Sequence, residues 1–149
     1  MLDKREVARY DVAYELQRAE GHVETRERNV RYYLHRAGPP APFSKWRDSL
    51  SDIRTRAAID ARIARLRLGN FSDAKRVGGG VSEARINYGP GYRIYFAVDG
   101  DDVILLCGGD KSSQGSDIET AKGRWRDYQE RTRHERNKLS GRSTRRPAE

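Results

Sequence analysis

Hydrophobic and polar positions between residues 30 and 68 follow first a strand pattern and then two helix patterns. The segment Val30–Leu34 combines β-branched and aromatic residues, which predicts a strand. Apolar residues at helical spacing then predict a short helix over Phe43–Leu50 and a longer one over Ile53–Leu68. Asp52 offers an N-cap for the longer helix, and Gly69 offers a C-terminal stop.

Four further strands and a closing helix are predicted after residue 73. Glycine-rich turns separate the apolar runs Ala74–Val77, Val81–Tyr88, Tyr92–Val98 and Val103–Cys107. The last run is apolar at every position, which is typical of a central strand buried on both faces. Core spacing predicts a helix over Asp117–Tyr128. Because hairpin turns join the four strands, we predict an α+β class with a largely antiparallel sheet.

Charged segments flank this region on both sides. Residues 1–29 are weakly amphipathic, and Val7, Tyr10 and Tyr14 at helical spacing allow a short helix there. Residues 129–149 are almost without apolar residues, which indicates a fraying helix or a disordered basic tail. We therefore expect a charged N-terminal extension, a compact domain over residues 30–128 and a basic C-terminal tail.

The charge balance narrows the class of partner. The net charge is +8, and charged residues make up 35% of the 149-residue chain, against 36% hydrophobic residues. Such a basic balance favours nucleic acid, an anionic membrane surface or an acidic protein. No signal peptide or membrane-spanning run is visible, so a cytoplasmic location is expected. The single cysteine, Cys107, and three scattered histidines predict no disulfide, no metal site and no cofactor.

Cationic residues recur at predicted strand positions. Arg85 stands between Ala84 and Ile86, so its side chain must point to the opposite face from theirs. The alternation predicts a sheet with one apolar face and one cationic face, which suits an anionic polymer. The cations concerned are Lys75, Arg76, Arg85, Arg93 and Lys111.

Chemistry by cations alone is compatible with RNA cleavage. The glycine-rich segments at 78–80 and 89–91 match neither phosphate-loop nor dinucleotide motifs and are better explained as turns. RNA supplies its own nucleophile, the 2′-hydroxyl, so Arg and Lys suffice to orient and stabilise the charged transition state. A lysine of lowered pKa or a tyrosine could move the proton.

Three motifs make the chain resemble a known superfamily. They are GNF-x-D-x-K-x-VGGGVSE-x-RI, YGPGYR-x-YF and LL-x-GGDK-x-x-Q-x-x-DI-x-x-A. Over residues 30–128 they resemble the RelE/ParE toxin superfamily, closest to its phage Gp49-like, or HigB-type, addiction module killer proteins. The resemblance implies a RelE-like, microbial-ribonuclease-type fold: a twisted antiparallel sheet with two N-terminal helices packed on it and a C-terminal helix.

The resemblance also implies a function. It implies the toxin of a type II toxin–antitoxin system, a ribosome-dependent mRNA endoribonuclease (mRNA interferase) that blocks translation. Its implied partners are the ribosome, mRNA and a HigA-like helix-turn-helix antitoxin, through which it would contact operator DNA indirectly. Two alternatives stay open, since ParE-type relatives inhibit DNA gyrase, and the same fold could bind RNA or protein without chemistry.

Site residues follow from the matching positions. The resemblance implies a catalytic set of Arg85, Lys75 and Lys111, with Arg85 gripping the scissile phosphate. The general base stays unassigned among Lys75, Lys111 and Tyr92. Two structural alternatives stay open: Arg85 could pair with Glu83 or Asp110, and Arg93 could be structural. The residues expected to bind RNA are Arg76, Arg93, Tyr92 and Gln114.

Overall fold

The chain folds as an α+β protein in the order expected from the sequence. A computed structural model describes residues 27–143. The helix considered for the N-terminal extension therefore lies outside the described residues. In chain order the elements are β1 Asn29–Tyr32, α1 Pro42–Ser49, α2 Ile53–Arg67, β2 Ala74–Gly78, β3 Val81–Arg85, β4 Arg93–Asp99, β5 Asp102–Gly109, a 3-10 turn Lys111–Ser113 and α3 Gln114–Ser143.

The five strands form one open, mixed sheet in the order β1-β5-β4-β3-β2. The strands β2 to β5 are antiparallel neighbours, as the hairpin turns predict. By contrast, β1 runs parallel to β5, with Val30 opposite Val103. The largely antiparallel arrangement expected from the hairpins therefore holds for β2 to β5, and the antiparallel sheet implied by the resemblance is wrong at the β1 edge. A parallel pair needs a long connection between its strands, and the chain between β1 and β5 includes two helices.

Helices cover both faces of the sheet. Because neighbouring residues of a strand point to opposite faces, Ile94 and Phe96 of β4 pack in the cluster under α1 and α2, while Tyr95 and Ala97 pack under α3. The prediction of one apolar and one cationic face is thus wrong for the middle of the sheet. The prediction that Val103–Cys107 is buried on both faces is confirmed.

Close packing explains two of the glycines. At Gly80, in the β2–β3 turn, φ is +81°, and a Cβ atom would lie 2.6 Å from Nε1 of Trp125. At Gly108, a Cβ atom would overlap the ring of Trp46, which packs directly on β5. These glycines therefore let one tryptophan from each helical layer approach the sheet backbone.

The last helix continues from Tyr128 to Ser143, past the point at which apolar spacing ends. Of the two alternatives for residues 129–149, a helix or a disordered tail, the described part as far as Ser143 is helical. Arg131 pairs with Asp127 at 2.8 Å, one turn earlier, and its Nη2 atom donates to the carbonyl of Leu34 at 2.5 Å. Such polar contacts stabilise a helix without an apolar stripe, which is why apolar periodicity alone did not decide between the two alternatives. Across residues 27–143, no helix has the length and apolarity needed to cross a membrane.

Strand β3 is shorter than predicted. It ends at Arg85, three residues before Tyr88. The amide of Tyr88 donates to the carbonyl of Ile86 at 2.8 Å, so the chain turns there instead of extending. The amide of Ile86 still donates to the carbonyl of Tyr92 at 2.9 Å, which brings the chain back into β4. The turn places Arg85 at the open end of the sheet.

Candidate functional site

Strand register brings cations together where β3 ends and β4 begins. Arg85 stands opposite Arg93, and Lys75 of β2 stands opposite Glu83. Because Glu83 and Arg85 are two residues apart in one strand, all four side chains belong to the face that α3 covers elsewhere. We call the group Lys75, Arg85 and Lys111, with the buried Arg93 and Glu83 between them, the cationic corner.

A buried ion pair lies at the centre of the cationic corner. The Nε atom of Arg93 lies 3.2 Å from Oε1 of Glu83, and the two side chains are only 4% and 5% exposed. Nη1 of Arg93 donates to the carbonyl of Gly91 at 2.6 Å, and Nε2 of Gln114 donates to Oε2 of Glu83 at 2.9 Å. Arg93 is therefore structural in this arrangement, and Glu83 pairs with Arg93 and not with Arg85. Gln114 joins the first turn of α3 to the pair.

The other cations of the corner have no internal counter-charge. The side chains of Lys75, Arg85 and Lys111 are exposed. Within residues 27–143, none of the three forms a hydrogen bond or an ion pair through its side chain. Their charges are therefore available to an external anion, whereas Glu83 neutralises Arg93.

Lys111 sits on a short turn that polar contacts fix in place. The carboxylate of Asp110 accepts hydrogen bonds from the amide of Ser112 at 2.8 Å and from its hydroxyl at 2.5 Å. These bonds hold the pKa of Asp110 below its usual value. The hydroxyl of Ser113 donates to Oδ2 of Asp117 at 2.5 Å, joining the turn to α3. Asp110 is thus occupied by its own turn, and Lys111 extends from a fixed backbone.

Two of the residues expected to bind RNA lie elsewhere. Arg76 stands opposite Ser82 on the other face of β2 from Lys75, because adjacent strand residues alternate. Tyr92 packs against the cluster under α1 and α2, with its ring centroid 6.2 Å from that of Trp46. The structure therefore separates Arg76 and Tyr92 from the cationic corner.

Proton-transfer groups are scarce at the corner. With Tyr92 on the opposite face, Lys75 and Lys111 remain from the three candidates for a general base. Tyr95 lies on the correct face, but it is fully buried, and burial raises the pKa of its hydroxyl well above its ordinary value. The arrangement is suited to orienting and neutralising a phosphate, which needs cations more than a strong base.

Sequence reasoning missed Glu83 as the counter-ion of Arg93. A signal for it exists, because Glu83 shares the alternation of Val81 and Arg85 and so had to lie on the face assigned to the cations. A lone carboxylate among cations on a strand face indicates an ion pair. The register of β3 against β4, which decides which arginine takes it, was not readable from the pattern.

The chain has a relative among known proteins. Over 81 aligned residues it is 52% identical to an uncharacterized protein from Haemophilus influenzae, and the alignment covers 54% of this chain and 82% of the relative. The two chains belong to one family. No protein-family model matches the sequence. The relative therefore shows that this sequence type occurs in H. influenzae, and its name attaches no activity to the cationic corner.

Proposed function

We propose that this protein is the toxin of a type II toxin–antitoxin system, with the RelE-like fold of HigB-type killer proteins. In this proposal it is a metal-free endoribonuclease that cleaves mRNA in the ribosomal A site. A helix-turn-helix antitoxin would restrain it. The observation that supports the proposal best is the set of three unpaired cations around one neutralised ion pair. That arrangement offers concentrated positive charge on a rigid strand scaffold.

The chemistry requires few protein groups. The 2′-oxygen of a ribose attacks the adjacent phosphorus, a 2′,3′-cyclic phosphate forms, and the bond to the 5′-oxygen of the next nucleotide breaks. The 2′-hydroxyl loses its proton to a base, and the leaving 5′-oxygen gains one. Arg85 would bind the phosphate oxygens through its planar fork. Lys75 and Lys111 would stabilise the added negative charge and are the groups available for proton transfer.

Programmed ribosomes test the proposal directly. Purified protein is incubated with ribosomes that hold a defined mRNA, and the 5′ ends are mapped by primer extension. We expect cleavage within the A-site codon and a loss of about 100-fold or more for Arg85→Ala, typical of removing one transition-state contact. Arg76→Ala is the matched control, because Arg76 is an exposed strand arginine on the opposite face. Its rate should stay close to that of the wild type.

Two outcomes would reject the nuclease. One is intact A-site mRNA with wild-type protein, and the other is an equal effect of Arg85→Ala and Arg76→Ala. In either case a gyrase supercoiling assay tests the ParE-type alternative. Growth arrest on expression, relieved by co-expression of an adjacent helix-turn-helix gene product, would support the toxin assignment independently of the target.

A further inference from the structure

A second group of cations lies along one flank of α3, outside the cationic corner. Lys122, Arg126 and Arg133 follow at intervals of four and seven residues, with Gln129 between the last two, so they form one stripe on the helix surface. Trp125, immediately before Arg126, is buried against the sheet. The stripe therefore borders the sheet-facing side of the helix instead of lying on its far side.

The first residue of the stripe meets the edge of the sheet at the β2–β3 turn, at the other end of β3 from Arg85. The Lys122 side chain lies against the β2–β3 turn: a Cβ atom on Gly79 would be 3.3 Å from its Cγ, and one on Gly78 would be 3.4 Å from its Nζ. Lys75 shares the α3-facing side of β2 with Val77, which packs against the cluster under α3. Lys75 and Lys122 thus lie along the same side of one edge strand.

The far end of the stripe lines an open groove of about 670 Å³ between α3 and the β4–β5 hairpin. Val98 forms part of its apolar wall, and Arg126, Gln129 and Arg133 line the helical side. Asp99 also lines the groove, but it accepts a hydrogen bond from Tyr128 at 2.9 Å. Arg136, a further cation of the lining, lies 3.7 Å from the same carboxylate. Glu130 lines the groove as well and is exposed. The groove therefore holds two carboxylates, of which Asp99 is paired, beside exposed cations and an amide.

The cations of the stripe are free to take an external anion. Arg126 and Arg133 are exposed, and in the described part of the chain neither has a hydrogen bond or an ion pair through its side chain. Lys122 has one weak contact, 3.7 Å to Glu119, whose side chain is 73% exposed. Exposed pairs of this kind contribute little, so a phosphate can displace Glu119 at small cost.

We propose that this stripe, Lys122, Arg126, Gln129 and Arg133, binds the phosphodiester backbone of single-stranded RNA that leaves the cationic corner. The identity of the ligand as RNA rests on the proposed function. The ends of the stripe are eleven positions apart on the helix, a span of about 16 Å, which is long enough for more than one phosphate. The strand would run from Arg85 past Lys75 and along the flank of α3. Charge contacts of this kind add affinity without base specificity.

Salt-dependent binding measures these contacts. A fluorescent single-stranded 2′-O-methyl oligonucleotide has no 2′-hydroxyl to react, so its anisotropy reports binding alone. We expect Arg126→Gln with Arg133→Gln to weaken binding. The same double variant should make the slope of log K against log salt shallower by about 1.4, since each lost phosphate contact contributes about 0.7 on a single strand. The matched control is Arg54→Gln with Arg67→Gln, which removes the same charge from exposed positions on α2, on the opposite face.

The controls separate this inference from the function on which it rests. Equal slopes for the stripe variant and the α2 variant would overturn the inference, and so would wild-type protein that does not bind the oligonucleotide. Ribosomal mRNA cleavage is measured on the same preparations. If wild-type protein cleaves mRNA while the two slopes agree, the RNA stripe is wrong and the nuclease stands. If the salt slope becomes shallower only in the stripe variant while wild-type protein leaves mRNA intact, RNA binding by the stripe is supported and the nuclease is rejected.

Discussion

The buried pair of Glu83 and Arg93 predicts a strong and coupled effect on stability. Both side chains are about 95% buried, and their charged atoms lie 3.2 Å apart. Removing one partner leaves the other charge buried without a counter-ion, which costs about 3–5 kcal/mol. A charge pair replaced as a whole by neutral groups costs much less. We therefore expect Glu83→Gln and Arg93→Met each to lower the free energy of unfolding by about 3–5 kcal/mol, and the double variant to lower it by clearly less than their sum.

An exposed pair provides the control at the same distance. Arg31 lies 3.2 Å from Asp102, but its side chain is 61% exposed. Surface pairs contribute about 0–1 kcal/mol, so Arg31→Met and Asp102→Asn should show a coupling energy below about 1 kcal/mol. The comparison isolates burial, because the distance between the charged atoms is the same in the two pairs.

Urea unfolding followed by circular dichroism supplies the two double-mutant cycles. A loss of about 3–5 kcal/mol in a domain of this size lowers the melting temperature by roughly 10–20 °C. The reasoning is refuted if the Glu83 and Arg93 variants each cost less than about 1 kcal/mol. It is also refuted if their effects are additive, because then neither charge depends on the other for compensation.

Three further predictions concern Cys107, Gly80 and Arg62. Burial raises the pKa of the Cys107 thiol to about 12, so the folded state favours the neutral thiol. The stability gained from this preference is complete below the ordinary pKa of a cysteine and is lost as the pH rises from there towards 12. Native protein at pH 8 should therefore react with a thiol reagent only after urea unfolding, and rapid native labelling would contradict this. Gly80→Ala should cost more stability than Gly100→Ala, because both positions have positive φ but only the first brings a Cβ atom against Trp125; equal melting temperatures would reject that contact. Arg62 is 1% exposed, and its Nε and Nη2 atoms lack hydrogen-bond partners. Arg62→Met should therefore raise the free energy of unfolding by about 1–4 kcal/mol. A free energy of unfolding below that of the wild type would contradict this and show that the buried charge is compensated.

Local patterns in the sequence determined the elements and their order. Apolar spacing identified α2 to within one residue, since Ile53–Leu68 was expected and Ile53–Arg67 is observed. Asp52 caps that helix by accepting a hydrogen bond from the amide of Arg54 at 2.9 Å, as the sequence indicated. Such features depend on neighbours within a few residues, so one chain segment contains all the information they need. The same is true of the alternation that points Arg85 away from the face on which Ala84 and Ile86 pack.

Only the tertiary structure decided which cations are free. The strand pattern by itself did not distinguish the five basic residues. In the structure, pairing neutralises Arg93 with Glu83, and alternation places Arg76 on the other face. The covering of the second face by α3 depends on contacts between segments far apart in the chain, which no local period encodes. The sequence therefore determined a basic α+β chain with cations on its strands. The physical reason that only Lys75, Arg85 and Lys111 remain unpaired at the corner is the strand register and the docking of α3, both of which are long-range.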